Sequence, residues 1–248
     1  MFRARDREKC HALMAKYYKG RKFHDTLYRE MIASHFRPGQ RVLDAGCGRS
    51  MKFCRDFPNA AVVVGVDLEE ALDTRNTRPP FGVKGDLARL PFAANYFDLV
   101  ICRSVVEHLE NPEQVFSEFN RVLREGGKAI IITPNKYDYV SILATFTPYW
   151  FHRYIVSRIF QVSEDDVFPT LYRANTIRTL RKSLTATGFK QLEMRSINHY
   201  PAYLMFSPVL FRIGVLYERL TSLESFEALR GSLLCACQKN RDHAPPTS

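Results

Sequence analysis

Apolar and polar positions follow two different periods along most of this chain. Short apolar runs rich in β-branched residues are separated by stretches with helical spacing. Runs of this kind predict buried strands, and strands that alternate with helices are typical of a parallel sheet with crossover helices. The predicted strands are 42–45, 61–66, 81–85, 97–102, 128–133, 189–196 and 232–238.

The clearest helical pattern precedes the fifth predicted strand. Pro112 stands where a helix begins, and Gly126 and Gly127 stand where we expect it to end. The apolar positions between them fall on one face, which predicts a crossover helix packed against the sheet. These positions are Val115, Phe116, Phe119, Val122 and Leu123.

The remaining segments frame this α/β core. Residues 5–36 predict two helices broken near Gly20, so we expect a helical leader or lid over 1–37 and the core domain over 38–240. A helix is expected at 174–187, and an apolar, mainly helical insertion at about 200–230. Residues 241–248 are polar and rich in proline, which predicts a disordered tail.

The chain is basic. Its 36 Lys and Arg against 26 Asp and Glu give a formal net charge of +10, and much of the excess lies in the first 22 residues. Such a charge fits nucleic acid, an anionic membrane surface or acidic small molecules as partners, and also a solvated basic helix face. Charge alone does not choose among them.

The six cysteines form no Cys-x-x-Cys pair, and no histidines stand at zinc spacing. We therefore expect neither a redox motif nor a metal site, and we expect reduced thiols in a cytoplasmic protein. No apolar run approaches about 18 residues, and the N-terminal residues carry no apolar stretch of the kind a signal peptide has. We expect neither export nor a membrane span.

The most informative stretch is 41–48, Arg-Val-Leu-Asp-Ala-Gly-Cys-Gly. A predicted strand ends at Asp44, and Gly46 and Gly48 follow at once. Glycine tolerates positive φ and lacks a Cβ, so this turn lets a ligand lie against the main chain. In an open α/β sheet, ligands bind at the carboxyl ends of the strands.

Polar residues follow the next three strands, at Asp67, Asp86 and Arg103. We expect them to converge with the glycine turn. An acidic residue that ends the second strand can accept the hydroxyls of a ribose. A dinucleotide fingerprint would also need a small residue where Met51 stands, and Asp44 would repel a pyrophosphate. Asp44 suits instead the amino and sulfonium charges of S-adenosylmethionine.

Residues 40–134 resemble the class I S-adenosylmethionine-dependent methyltransferases, and the resemblance is nearest to the small-metabolite branch that includes quinone biosynthesis. It rests on five segments in order. They are Val-Leu-Asp44-Ala-Gly46-Cys-Gly48, Val64-Gly-Val-Asp67, Gly85-Asp86-Leu87 with Leu90-Pro91-Phe92, Phe97-Asp98, and Arg-Val-Leu-Arg-Glu-Gly126-Gly127. The resemblance implies a Rossmann-like, seven-stranded, mostly parallel sheet with an antiparallel last strand, and S-adenosylmethionine as cofactor.

The resemblance also implies which residues hold the cofactor. The turn after the first strand would hold its methionine end, Asp67 and Leu68 its ribose, and the segment after the third strand its adenine. Arg103 would face the methionine carboxylate or the substrate. The full set is Asp44, Ala45, Gly46, Cys47, Gly48, Asp67, Leu68, Gly85, Asp86, Leu87 and Arg103. The family's third small position falls at Ser50, and Asp86 is also suited to cap a following turn.

A base is optional for displacement from a sulfonium, because alignment in a dry pocket supplies most of the catalysis. His108, after the fourth strand, is the candidate base. The alternative is a structural histidine beside the sheet edge. Tyr17 and Tyr18 suit either a lid over the cofactor or simple packing of the leader.

In this family the acceptor is chosen by segments outside the core, here 1–37, 135–172 and 200–230. The last two are aromatic, with basic residues interspersed, which suits a small-molecule or lipid-like acceptor, a helix on an anionic bilayer, or plain cap packing. We do not expect nucleic acid or an obligate protein partner. The alternatives are an RNA or protein methyltransferase, a catalytically silent cofactor-binding protein that docks a partner, and an NAD-dependent oxidoreductase.

Overall fold

A computed structural model describes residues 4–49, 51–68, 81–146 and 168–240. Its strands form one seven-stranded sheet in the order β3-β2-β1-β4-β5-β7-β6. The strands are β1 Arg41–Ala45, β2 Val62–Asp67, β3 Phe81–Lys84, β4 Phe97–Arg103, β5 Leu123–Pro134, β6 Phe189–Ile197 and β7 Ser232–Lys239. All seven predicted strands are confirmed.

Neighbouring strands from β3 to β5 run parallel. In the centre of the sheet, Asp44 of β1 lies opposite Gly65 of β2 on one side and Ile101 of β4 on the other. The last strand is antiparallel. The Rossmann-like α/β fold with a mostly parallel sheet, which the sequence predicts, is therefore confirmed.

Helices precede, connect and follow the strands. The α-helices are α1 Ala4–Tyr17, α2 His24–His35, α3 Pro112–Val122, α4 Tyr139–Phe146, α5 Ile177–Ala186 and α6 Pro208–Thr221. The two leader helices, and the helical insertion that holds α6, agree with the sequence prediction. Among the described residues, no helix is both long enough and apolar enough to cross a membrane.

The chain divides into two compact units. Among the described residues, the sheet unit takes those within 28–133, 171–195 and 234–240, and the cap unit takes those within 4–27, 134–146, 168–170 and 196–233. Of the predicted features, Ser50, the aromatic residues 149–160 and the tail 241–248 lie outside the described residues.

The sheet unit has its core on both faces of the central strands. From Phe97 to Cys102 every residue of β4 is buried, and Val42 to Ala45 of β1 are buried as well. A strand that is covered on both faces needs an unbroken apolar run rather than alternating apolar and polar residues. The sequence therefore predicted these runs as buried strands. Helix α3 adds Phe116 and Phe119, both fully buried.

The predicted end of α3 is wrong. The helix ends at Val122, four residues before Gly126, and Leu123 already has extended φ and ψ values. Leu123 pairs with Phe97 of β4, and the backbone N–H of Tyr96 donates to the Val122 carbonyl at 2.8 Å. Pairing with β4 therefore draws this segment into β5, and Gly126, with φ of 69°, bends the strand rather than ending the helix.

The cap unit is built around α1 and α6, which pack against each other. Cys10, Tyr18, Phe211 and Val215 form its buried cluster. The aromatic rings of Tyr18 and Phe211 meet edge to face with centroids 6.4 Å apart. Tyr18 therefore packs as a core residue of the cap unit, and its role in a lid remains a prediction.

Candidate functional site

The candidate site lies at the carboxyl edge of the sheet, in the sheet unit. Strands β3, β2, β1 and β4 are neighbours and run parallel, so their carboxyl ends meet at this edge. The structure thus places at one edge the residues that the sequence selects after each strand. These are Asp44 to Gly48, Asp67 and Leu68, Gly85 to Leu87, and Arg103.

The turn after β1 needs both of its glycines. Gly46 and Gly48 have φ values of 76° and 60°, which only glycine adopts without strain. A Cβ on Gly46 would clash with the Val105 side chain, which follows β4. The backbone N–H groups of Gly46 and Cys47 donate to the Val66 carbonyl at 2.8 and 3.2 Å. The turn is thus tied to the end of β2.

Asp67 holds the same turn from the side. Its Oδ2 accepts a hydrogen bond from the Gly48 backbone N–H at 2.8 Å. The Leu68 side chain beside it is 65% exposed. This contact shows that Asp67 fixes the glycine turn, and its role toward a ribose remains a prediction.

Asp44 is the most unusual group at the edge. Only 3% of the residue is exposed, and its Oδ2 accepts a hydrogen bond from the Cys54 thiol at 3.3 Å. Burial raises the pKa of Asp44 to about 7, while the Cys54 thiol and the charge of Arg103 act in the opposite direction. Burial destabilises an ionised carboxylate unless a cation compensates it. Asp44 therefore favours a positively charged ligand.

Aromatic rings support this end of the site. The Arg103 guanidinium carbon lies 5.2 Å from the centroid of the Phe53 ring, and the ring of Tyr28 lies edge to face with Phe53 at 5.4 Å. Tyr28 is fully buried, and burial, reinforced by the charge of Asp44, raises the pKa of its hydroxyl. Arg103 thus has a restricted position beside Asp44, as a ligand-binding arginine requires.

The sequence analysis did not select Phe53, Cys54 or Tyr28. One signal was available, because Met51, Phe53 and Cys54 are apolar and follow the glycine turn closely, and all three are buried. Burial beside a glycine turn suggests side chains that line the site. Nothing in the sequence indicates that the Cys54 thiol meets Asp44.

The segment after β3 forms a tight turn. The Gly85 N–H donates to the Asp67 carbonyl at 2.9 Å, and the Asp86 Oδ1 accepts from the Ala88 N–H at 2.8 Å. Asp86 is exposed and Leu87 is buried. Asp86 therefore caps a local turn, as one of the two sequence interpretations holds, and its contact with adenine remains a prediction.

A buried polar network follows β4. The Thr133 hydroxyl donates to Oε2 of Glu107 at 2.8 Å and accepts from the Asn175 side-chain amide at 2.7 Å. The Glu107 carbonyl accepts the backbone N–H groups of Leu171 and Tyr172. Burial raises the pKa of Glu107, and the neighbouring His108 opposes this. Glu107 therefore joins the ends of β4 and β5 to the segment that leads into α5.

His108, the candidate base, is more exposed than its neighbour. Its side chain is 29% exposed, and its Nε2 lies 3.9 Å from Oε1 of Glu107, too far for a hydrogen bond. The sequence offered His108 either as a base or as a structural histidine, and the structure gives the buried, hydrogen-bonded position to its neighbour Glu107. The catalytic role of His108 remains a prediction.

These residues fit S-adenosylmethionine. The buried Asp44 carboxylate calls for a positive group, the positive-φ glycines let a ligand approach the backbone, and Arg103 supplies a cation for a carboxylate. Among the described residues, no group of three or more His, Cys, Asp or Glu is placed to hold a metal ion. The donor set therefore matches an organic ligand that carries both signs of charge.

Comparison with known proteins agrees with this fit. Residues 43–131 match a family model described as a methyltransferase domain. A protein of Mycolicibacterium smegmatis named "Probable S-adenosylmethionine-dependent methyltransferase" is 35% identical over 116 residues, which are 46% of this chain and 44% of that protein. Over this match the chain therefore spans less than half of the relative's length.

Two further comparisons cover more of the chain. The ubiquinone/menaquinone biosynthesis C-methyltransferase UbiE of Photorhabdus laumondii is 27% identical over 178 residues, covering 64% of this chain and 70% of that protein. The crystal structure of an S-adenosylmethionine-dependent methyltransferase from Mesorhizobium loti superimposes with a TM-score of 0.55 at 19% identity, over 85% of this chain and 96% of that one. The second likeness concerns the fold alone.

Four observations agree with one another. They are the order of the motifs, the strand order with an antiparallel last strand, the buried Asp44 carboxylate that favours a cationic ligand, and the matching domain model. Residues 43–131 therefore form a methyltransferase domain, and the residues at this edge of the sheet fit S-adenosylmethionine as its cofactor.

Proposed function

We propose that this protein transfers a methyl group from S-adenosylmethionine to a small-molecule or lipid-like acceptor. The observation that carries the proposal is the buried Asp44 at the glycine turn, with a pKa raised to about 7 by burial. A buried carboxylate whose charge is compensated only in part destabilises a protein, so it is retained where a ligand supplies the remaining positive charge.

Three residues at this edge of the sheet have separate roles in binding the cofactor. Asp44 attracts the positive charge of the methionine end, Arg103 binds its carboxylate, and Asp67 both fixes the turn and accepts the ribose hydroxyls. The bound cofactor supplies a methyl group on a sulfonium, which is already a good leaving group. The protein then has to align the acceptor and exclude water, and a base at His108 is needed only if the acceptor must lose a proton.

The proposed acceptor class rests on the likeness to the quinone methyltransferase of Photorhabdus laumondii. We propose a quinone-type or similarly apolar acceptor, methylated on oxygen, nitrogen or carbon. A lipid-like acceptor also implies work in the cytoplasm at the surface of an anionic membrane. Fold and cofactor alone do not choose the acceptor, because one fold serves many substrates.

The first test is calorimetric titration of the purified protein with S-adenosylhomocysteine, with NADH as the control. Micromolar binding of S-adenosylhomocysteine alone supports the assignment of the edge. Preferential binding of NADH would return the chain to the oxidoreductase alternative, and binding of neither ligand would contradict the proposed roles of Asp44, Asp67 and Arg103.

The second test is transfer of a labelled methyl group from S-adenosylmethionine into a host extract, followed by separation into lipid, small-molecule, protein and nucleic-acid fractions. Label in the lipid or small-molecule fraction supports the proposal. Label confined to RNA or protein would overturn the acceptor class. Cofactor binding without label in any fraction would support the silent cofactor-binding alternative.

Replacement of Asp67 by alanine tests the site residue by residue. Loss of most of the affinity for S-adenosylhomocysteine is expected, because the variant removes both the ribose acceptor and the bond to the Gly48 N–H. Asp98→Ala is the matched control, since Asp98 is a buried carboxylate elsewhere in the same unit that accepts the Arg41 N–H. Equal affinity in wild type and Asp67→Ala would remove Asp67 from the site.

A further inference from the structure

Helix α6 of the cap unit carries a row of exposed aliphatic side chains. Val209, Ile213, Leu216 and Leu220 are 63%, 55%, 59% and 49% exposed. They are spaced four, three and four residues apart, so they form one continuous row along the helix. We call this row the α6 ridge. Four large aliphatic side chains in one exposed row mark a binding surface more than scattered exposure does.

The opposite face of α6 faces inward. Phe211 and Val215 belong to the buried cluster of the cap unit, and the buried carboxylate of Glu218 is paired with Arg21 at 2.7 and 2.9 Å. The helix is thus fixed by its inner face, and the ridge is not needed for its packing. Helix α6 therefore presents the ridge without having to unfold or rotate.

Positive charge borders the ridge on the side of α1. Arg212 and Arg219 are exposed and lie on the same flank of α6. The guanidinium carbon of Arg219 lies 5.4 Å from the centroid of the Tyr17 ring, which places α1 on this flank. Exposed residues of α1 and of the turn after it include Arg7, Lys9, Lys16 and Lys19, with Glu8 as the exposed acid on α1.

Acidic residues follow the C-terminal end of α6. Glu224 and Glu227 are exposed and belong to the 3₁₀ helix that follows, Glu224–Leu229. Arg212 and Arg219 therefore accompany the ridge along α6, whereas the residues that follow the helix are acidic. An apolar row with a basic flank is the pattern of a helix that lies in the interface of an anionic bilayer.

We propose that the α6 ridge, with its basic flank on α1, docks the protein on an anionic lipid bilayer. The ridge would enter the acyl boundary while the arginine and lysine side chains reach the lipid phosphates. This names the contact surface for the lipid-like acceptor, and in that respect it rests on the proposed function.

The dimensions of the ridge favour a bilayer over a second copy of the chain. The helix has 14 residues, hence a length of about 21 Å at about 1.5 Å per residue. A row one side chain wide and of this length falls well short of the roughly 800 Å² per partner that a stable protein interface buries. A bilayer sets no such requirement, and the cationic flank would repel the same flank of a second copy.

The test is co-sedimentation of the full chain with vesicles of phosphatidylcholine containing about one-third phosphatidylglycerol, compared with pure phosphatidylcholine. We expect binding to the anionic vesicles only, and a marked loss of binding as salt is raised, because exposed charges are screened. Ile213→Glu and Leu216→Glu should each weaken this binding by about tenfold or more, since a carboxylate would enter the apolar boundary.

The matched control is Leu192→Glu. Leu192 lies on β6 of the sheet unit and is 40% exposed, so the same change in charge is made away from the ridge. Its vesicle binding should equal that of the wild type. Thermal unfolding and affinity for S-adenosylhomocysteine are measured for all variants and should not differ. The contribution of the basic flank is tested by the double variant Lys16→Gln, Arg212→Gln, which should weaken binding to anionic vesicles.

Absence of vesicle binding by the wild type, or equal binding by Ile213→Glu, would overturn the proposal. A micromolar dimer in analytical ultracentrifugation that Ile213→Glu converts to monomer would also overturn it, in favour of an interface between copies. These outcomes are independent of the proposed activity. Vesicle binding without methyl transfer would leave the docking surface standing, and methyl transfer without vesicle binding would leave only the activity.

Discussion

Glu218 in the cap unit and Asp44 in the sheet unit are both buried carboxylates, and their surroundings differ in one decisive respect. In the cap unit, Glu218 receives two hydrogen bonds from the Arg21 guanidinium, at 2.7 and 2.9 Å, and one from the Ser222 hydroxyl at 3.3 Å. In the sheet unit, Asp44 receives the weak Cys54 thiol bond at 3.3 Å, and its pKa is raised to about 7.

The difference separates a structural acid from a functional one. A buried carboxylate with a bidentate arginine is already paired within the fold, so a cationic ligand would gain little binding free energy from it. A buried carboxylate without such a cation keeps its unfavourable charge until a ligand arrives. Burial alone would rank Asp44 and Glu218 together, and only their partners show which one marks a site.

The largest effect is expected for Asp44→Asn. The variant keeps the shape and removes the charge that attracts the cofactor, so affinity for S-adenosylmethionine should fall by roughly 100-fold, in line with the 2–5 kcal/mol typical of a buried charge pair. The measurement is calorimetric titration at pH 8. Glu218→Gln serves as the control and should leave affinity within about twofold. Equal affinity of Asp44→Asn and wild type would contradict the ligand role.

The same variant should stabilise the protein without cofactor. The folded-state pKa of Asp44 lies about three units above its ordinary value of 3.8, so the folded state binds this proton more tightly than the unfolded chain. Stability is therefore lost as pH rises from about 4 to 7, by at most about 4 kcal/mol at 1.36 kcal/mol per unit. We expect a higher Tm for Asp44→Asn at pH 8. A lower Tm would show that Asp44 is structural.

Arg21→Ala should leave Glu218 as a buried acid without its cation. Among the described residues the hydrogen bond from the Ser222 hydroxyl would remain, and removal of one partner of a buried ion pair is destabilising. Because the Arg21 side chain is 47% exposed, we expect about 2 kcal/mol rather than more. Thermal or urea unfolding measures this. Arg21→Lys should restore part of it, and no loss in Arg21→Ala would remove the contrast with Asp44.

Cofactor affinity should depend on pH through Asp44. The ionised form pairs with the positive ligand, and in the free protein this form dominates only above a pH of about 7. Binding at pH 6 should therefore be about tenfold weaker than at pH 8. The charges of Arg103, Asp67 and Asp56 also act on Asp44, and the profile of Asp44→Asn separates their contribution. A flat wild-type profile would contradict the assigned cause.

The smallest effect is expected for Cys54→Ser. A hydroxyl is a stronger hydrogen-bond donor than a thiol, so it should stabilise the ionised Asp44 and lower its pKa. We expect the midpoint of the pH profile to move down by about half a unit, while affinity at pH 8 changes little. Cys54→Ala, which removes the donor, should move the midpoint up. Shifts in the same direction for both variants would show that the thiol does not act on Asp44.

The sheet unit was largely predictable, because its information is local. Central strands are continuous apolar runs, and the glycine turn, Asp67 and the residues after β3 stand at fixed places beside them. The end of α3 was not predictable from the glycine pair, since pairing of Leu123 with Phe97 decides it. Long-range pairing overrode the local signal.

The hydrogen-bond partners of Asp44 and Glu107 could not be predicted from the sequence, for a related reason. Cys54 reaches Asp44 from ten residues along the chain, and Thr133 reaches Glu107 from 26 residues along it. No spacing rule connects such positions. The same holds for Arg21 and Glu218, which are 197 residues apart. Chemistry that depends on burial plus a distant partner becomes visible only in the folded chain.

Gly65, at the centre of β2, leaves room for the Cys47 side chain of the glycine turn. A Cβ on Gly65 would lie 2.7 Å from the Cys47 sulfur and 3.0 Å from the Met51 methyl group. The Cys47 Cβ would also lie only 3.0 Å away, so removing the sulfur alone does not make room. We therefore expect a side chain at position 65 only together with glycine at position 47, and the double replacement should fold where the single one fails.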